Sequence, residues 1–157
     1  TLEEVLELVK YYNWNGLINI EIKNGPIFYP NIERKLIGII RAYGLEENVI
    51  FSSFNHYSLK ILKEIDPSMD IGLLYMCGMY EPWEYAKDLR AKALHPLYYN
   101  IVPEIVIGCK KNGIELNPFT VDKPSDIEMM IKAGVDGVIT NYPDRGLKIK
   151  ERLKPQH

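Results

Sequence analysis

The chain has 157 residues, 46% of them hydrophobic and 25% charged, the proportions of one globular domain with a core of its own. Nineteen Lys and Arg against 21 Asp and Glu leave a net charge of −2, and no basic run stands out, which argues against nucleic acid as a partner. No apolar stretch approaches the roughly 20 residues that cross a bilayer, so no transmembrane segment is expected in this chain.

The first element is a helix. Thr1 reads as its N-cap and Glu4 as the capping-box partner, with Leu2, Val5, Leu6 and Val9 along one face. No Met or lead-in precedes it, so the sequence is expected to begin inside a larger architecture. Strand and helix patterns then alternate. The strands are predicted at 17–22, 49–53, 70–74, 91–94, 114–119 and 137–140, and the helices at 31–43, 57–65, 82–90, 102–111, 124–133 and about 145–153. Gly44, Gly113 and Gly134 each follow a periodic run, as helix-ending glycines do. Pro82, Pro103 and Pro124 stand where first-turn prolines belong. Cys77 and Cys109 are not spaced as a zinc site and read as buried small hydrophobes.

Alternating strands and helices give an α/β fold with a parallel sheet. Two architectures compete. An open doubly wound sheet suits 157 residues, whereas a (β/α)₈ barrel takes about 250 residues and eight strands, and six are visible. Length alone favours the open sheet.

In either architecture the chemistry lies beyond the carboxyl ends of the strands. The stretch LINIEIK places Asn19, Glu21 and Lys23 on one face of an otherwise apolar strand. A carboxylate on an interior face costs several kcal/mol unless a cation or hydrogen bonds compensate. Lys23 lies two residues on, about 6.6 Å along the strand, a spacing long for a direct ion pair. It suits a bound cation beside Glu21 and an anion beside Lys23, as when a hard divalent metal bridges to a phosphate. Ser53, Phe54, Asn55 and His56 follow the second strand, and Tyr75, Met76 and Cys77 the third. His95 ends the fourth, Phe119 and Asp122 the fifth, and Asn141 the last. His56 fits a helix start, His95 a buried histidine as well as a rim group, and Asp122 a helix N-cap. No nucleophile elbow, Walker loop, dinucleotide fingerprint or HExxH occurs.

The ordered series TLEEVLEL, INIEIK, SFNH, ALHP, ELNPFTVDKPSD and GVDGVITNYPD resembles the glycerophosphodiester phosphodiesterase family over nearly the whole chain. The resemblance implies a (β/α)₈ TIM barrel of the phospholipase-C-like phosphodiesterase type, with about six of eight βα units present, and displaces the open sheet. Residues 1–157 would be the C-terminal three quarters of one such domain, lacking strand 1, helix 1 and strand 2. Both catalytic histidines would lie upstream of Thr1, and neither His56 nor His95 matches them. Glu21 matches a metal-binding carboxylate of the family, and Lys23 the lysine that contacts the phosphodiester. Phe119 stands where a tryptophan usually lines the substrate pocket, and Asp122 where an asparagine is common. Phe54 is a further pocket wall and Asn141 a further substrate contact. The implied reaction is divalent-metal-dependent hydrolysis, with Mg²⁺ or Ca²⁺, of a glycerophosphodiester to an alcohol and sn-glycerol 3-phosphate. The alternative is a metal- and phosphate-binding module of the same fold without catalysis. A cytoplasmic location is the expectation, and the oligomeric state is open.

Overall fold

The computed structural model describes residues 1–25, 27 and 29–154. Its strands stand in chain order, β1-β2-β3-β4-β5, in one sheet. The order never reverses, so the topology lacks the switch point that defines a doubly wound sheet. By contact pattern the chain divides at Gly72 into two units, residues 1–72 and 73–157.

In the first unit, α1 (Leu2–Tyr11) carries the expected capping box between Thr1 and Glu4. The strands β1 (Ile18–Glu21) and β2 (Val49–Ser53) pair in parallel, with Glu21 opposite Ser52. β1 alternates, its isoleucines half-buried and Asn19 and Glu21 exposed, whereas every residue of β2 is buried. Between them lies α2 (Ile32–Tyr43), which ends at Gly44 with φ +65°, a left-handed turn that costs glycine little. α2 packs on α3 (His56–Ile65). Their inner faces bury Ile37, Ile40, Leu59 and Leu62, each contributing about 1.5–3 kcal/mol by leaving water. Arg41 reaches Asp66 at 2.5 Å and joins the end of α2 to that of α3. Asp66 is held below the ordinary carboxylate value, chiefly by the Ser68 hydroxyl and then by the Ser68 amide and Arg41. The strand β3 (Asp70–Tyr75) begins in this unit and ends in the next.

The second unit holds α4 (Pro82–Asp88), β4 (Ala93–Pro96), α5 (Pro103–Lys111), β5 (Glu115–Leu116), α6 (Pro124–Ala133) and α7 (Pro143–Leu153). Proline opens all four helices, where its missing N–H is no loss. Val121, Ile127, Met130 and Ile149 form a buried cluster that includes α6 and α7 residues.

The sequence predicts a sixth strand at 137–140, and here the structure differs. No ladder forms there among the described residues. Leu116 accepts from the amides of Asp136 and Gly137, and the Ile139 amide donates to Pro118 O at 2.9 Å. The donor that would return to Gly137 O belongs to residue 118, which is proline and has none, and Ile139 O accepts from the Val121 amide at 2.9 Å instead. β5 is limited to two residues by a different proline: Asn117 and Phe119 still donate to Leu94 and Pro96 on the β4 side, but Pro96 has no N–H to return to Asn117. The side chain of Asn117 also presses against Gly137, where its Oδ1 lies 2.5 Å from the position of a Cβ. Cys109 is buried as expected, but Cys77 is exposed, because it lies in the loop after β3 rather than in the strand.

Candidate functional site at the end of β1

The carboxyl end of β1 is fixed by the carboxyl end of β2. The Ile22 amide donates to Ser52 O at 2.7 Å, and Ser53 Oγ donates to Ile22 O at 2.7 Å. Ser53 Oγ in turn accepts from the Asn55 amide at 3.0 Å. Glu21 and Lys23 flank this clamped residue, so both side chains leave the strand from a defined backbone. Lys23 Nζ lies 3.9 Å from Glu21 Oε2, with the Lys23 side chain 78% and the Glu21 side chain 35% exposed. The pair is therefore closer than the axial spacing predicts, since a lysine stem spans the gap that two strand residues leave.

Glu21, Lys23 and Phe54 line one cavity of about 380 Å³, together with Ile27, Tyr29 and Ser53. Three of the sequence-derived site residues thus meet in one place. The cavity has a carboxylate and an ammonium on one wall and apolar or aromatic groups on the others. That arrangement suits a phosphate ester with a less polar substituent. Ile27 and Tyr29 were not foreseen, because the loop after β1 has no periodicity to mark which of its residues turn inward.

Phe119 and Asn141 lie in the second unit. Phe119 is half-buried and bridges to Leu97, its amide donating to Pro96 O and its carbonyl accepting from Tyr98. The Asn141 amide group donates to Asp122 Oδ2 at 3.0 Å, and its backbone N–H donates to Asp122 Oδ1 at 2.9 Å. Thr140 Oγ1 donates to Oδ1 as well, at 3.1 Å. Asp122 is therefore not the N-cap of α6. Lys123 holds that position without a side-chain bond, because the Asp122 carboxylate is turned to residues 140 and 141. The Asn141 backbone N–H and then its side-chain amide hold Asp122 below the usual carboxylate value.

His95 is 2% exposed, and burial lowers its pKa to about 4, so the ring is neutral near pH 7. Its Nε2 lies 3.4 Å from Asn117 Nδ2, and among the described residues Nδ1 has no hydrogen-bond partner. Of the two readings open to it, His95 takes the buried one. His56 begins α3 with its neighbour Asn55 at the N-cap, as the helix-start reading has it.

A larger cavity of about 610 Å³ lies in the second unit beside α5 and α6, bordered by Tyr98, Tyr99, Val106, Met129 and Met130. Asp126 is the one charged residue on its described lining, so it offers no cation to a phosphate. The smaller cavity, by contrast, has the Lys23 ammonium on its lining.

A divalent cation can be tested against these residues. Mg²⁺ and Ca²⁺ take hard oxygen ligands, and Mg²⁺ often has one or two protein carboxylates completed by phosphate and water. Glu21 fits as one such ligand. Among the described residues no group of three His, Cys, Asp or Glu is placed to hold a metal ion.

The glycerophosphoryl diester phosphodiesterase family profile matches residues 1–145. A glycerophosphodiester phosphodiesterase of Caldanaerobacter subterraneus subsp. tengcongensis is 56% identical over 144 residues, covering 92% of this chain and 58% of that protein. The crystal structure of a glycerophosphodiester phosphodiesterase from Parabacteroides distasonis superimposes with a TM-score of 0.83 at 26% identity, covering 98% of this chain and 65% of the other. An Oleispira antarctica phosphodiesterase, solved in complex with the product sn-glycerol-3-phosphate, shares the fold at a TM-score of 0.78 and 24% identity, over 96% of this chain and 61% of the other. The chain thus spans somewhat over half the length of the relatives it matches. The fold is α/β of the (β/α)₈-barrel type, represented here in part. The chain belongs to the glycerophosphoryl diester phosphodiesterase family.

Proposed function

We propose that the protein carrying this chain hydrolyses glycerophosphodiesters to an alcohol and sn-glycerol 3-phosphate. The observation that carries the reading is the cavity shared by Glu21, Lys23 and Phe54 in a chain of this family. Residues 1–157 are read as the C-terminal part of one catalytic domain, whose acid–base histidines precede Thr1. Lys23 places a positive charge against the phosphoryl oxygens, where charge grows in the transition state. Glu21 orients that ammonium when no substrate is present and is one oxygen ligand for a divalent cation, Mg²⁺ or Ca²⁺. Such a cation neutralises phosphate charge and polarises the ester. Phe54 and Tyr29 shield the ester from water and strengthen both electrostatic contacts. Phe119 is assigned to the substrate pocket on family resemblance, and Asn141 to a further substrate contact.

The test is hydrolysis of a glycerophosphodiester by the full-length protein, with and without a chelator. Loss of turnover on chelation, with recovery on adding Mg²⁺ or Ca²⁺, is expected, and Glu21→Ala should abolish that recovery while its circular dichroism stays native. Turnover indifferent to chelation overturns the metal assignment. No turnover with any glycerophosphodiester, alongside phosphate binding, favours the non-catalytic module.

A further inference from the structure

One residue past the exposed Lys23, the chain buries an amide. Asn24 is 3% exposed. Its Nδ2 donates to Ser58 Oγ at 2.9 Å and approaches Glu33 Oε1 at 3.4 Å. Ser58 Oγ donates to the same Glu33 oxygen. The three groups come from three places: the loop after β1, the first turn of α2 and the first turn of α3. Glu33 is 6% and Ser58 1% exposed. Burying an amide, a hydroxyl and a carboxylate together is unfavourable unless they satisfy one another, and apolar residues would pack α2 on α3 without that cost. What the polar trio adds is direction, because hydrogen bonds fix an orientation that apolar contact leaves loose. Among the described residues Asn24 Oδ1 has no hydrogen-bond partner.

We propose that Asn24, held by Glu33 and Ser58, is a positioning residue that sets the direction in which Lys23 leaves β1. This rests on the reading of Lys23 as the phosphate-binding residue. Lys23 lies between two anchored neighbours. Ile22 is held on both its N–H and its C=O by Ser52 and Ser53, and Asn24 is held by α2 and α3. An anchored residue on each side leaves the Lys23 backbone one conformation, and the ammonium then sweeps a limited arc that includes Glu21. With the Asn24 anchor gone, Lys23 becomes the first residue of a free loop, the adjoining Ile22 N–H to Ser52 bond opens more often, and the ordering that speeds reaction is lost.

Two measurements on the full-length protein test this. The first is amide hydrogen exchange in Asn24→Ala, with Ser58→Ala as a milder second variant. The Ile22 amide should exchange at least 10-fold faster than in the wild type while the amides of Val49–Phe51 keep their protection. Unchanged Ile22 protection in both variants overturns the proposal whether or not the protein is an enzyme. The second is a double-mutant comparison in glycerophosphodiester hydrolysis. Asn24→Ala should lower kcat several-fold in the wild type with KM little changed, but add little in a Lys23→Met background. Equal effects in both backgrounds overturn it, since Asn24 would then act independently of Lys23. Faster Ile22 exchange in a protein without any hydrolysis supports the anchor and sinks the enzymatic reading alone.

Discussion

The ammonium of Lys23 lies 3.9 Å from the carboxylate of Glu21, within a cavity that Phe54 closes on another side. Both side chains are open enough to water that their mutual attraction is small, so the pair is poised to exchange each other for a ligand. Lys23→Met should lower kcat by about 10²–10³-fold, the loss seen when one preorganised donor to a developing oxyanion is removed, with little change in thermal midpoint. Steady-state kinetics and a melting curve separate the two. An equal fall in stability would show that Lys23 holds the fold instead.

Asp122 and Asn141 make the corresponding contact in the second unit. Three donors from residues 140 and 141 converge on the Asp122 carboxylate, and the Asp122 carbonyl accepts from Arg145 at 2.7 Å. In Asp122→Ala the 140–141 segment loses those acceptors. If Asn141 contacts the substrate as proposed, KM for a glycerophosphodiester should rise several-fold with kcat near wild type. A fall in kcat at unchanged KM would move Asn141 away from ground-state binding.

His95 makes stability depend on pH. Burial lowers its pKa from 6.5 to about 4, so between those values the unfolded chain binds a proton that the folded chain refuses. Its contribution is complete above about pH 6.5 and is lost as pH falls toward 4, about 3 kcal/mol across the window. Urea unfolding of wild type and His95→Gln between pH 4 and 7 checks this. The variant should show a flatter profile over that range, and parallel profiles would place the acid sensitivity elsewhere.

Gly108 lies inside α5, where alanine is ordinarily favoured by up to about 1 kcal/mol. The ring of Trp83 stands 2.1–2.4 Å from where its Cβ would be. A large half-buried ring cannot retreat as a flexible side-chain tip does, so overpacking wins at about 1–3 kcal/mol. Gly108→Ala should lower the thermal midpoint, and Gly108→Ala with Trp83→Leu should recover part of the loss.

Much of the architecture can be read in the residues because its signals are local. The Thr1–Glu4 capping box, the prolines opening α4, α5 and α6, and Gly44 and Gly134 each act within one turn of chain. Glu21 and Lys23 are legible for the same reason, as polar side chains at alternate positions of an apolar strand. The contacts that sequence misses connect distant residues. Nothing near Asn24 announces Glu33 or Ser58, and Asp122 in front of Lys123-Pro124 looks like an N-cap until residue 141 is brought beside it. The missing ladder at 137–140 has its cause in Pro118, some twenty residues earlier, and appears only when the two segments are placed side by side.

The contrast between the two cysteines has a practical consequence. The Cys109 thiol is buried and pushed up to about 11 by desolvation and Asp136, so near neutral pH it is shielded and protonated, whereas Cys77 is exposed in the loop after β3 with its carbonyl accepting from Asn100 at 3.0 Å. A maleimide dye offered to the native chain at pH 7 will attach at Cys77 and leave Cys109 untouched. The chain therefore already has a single labelling position in the loop after β3, and fluorescence from that position can report on the loop without any engineered residue.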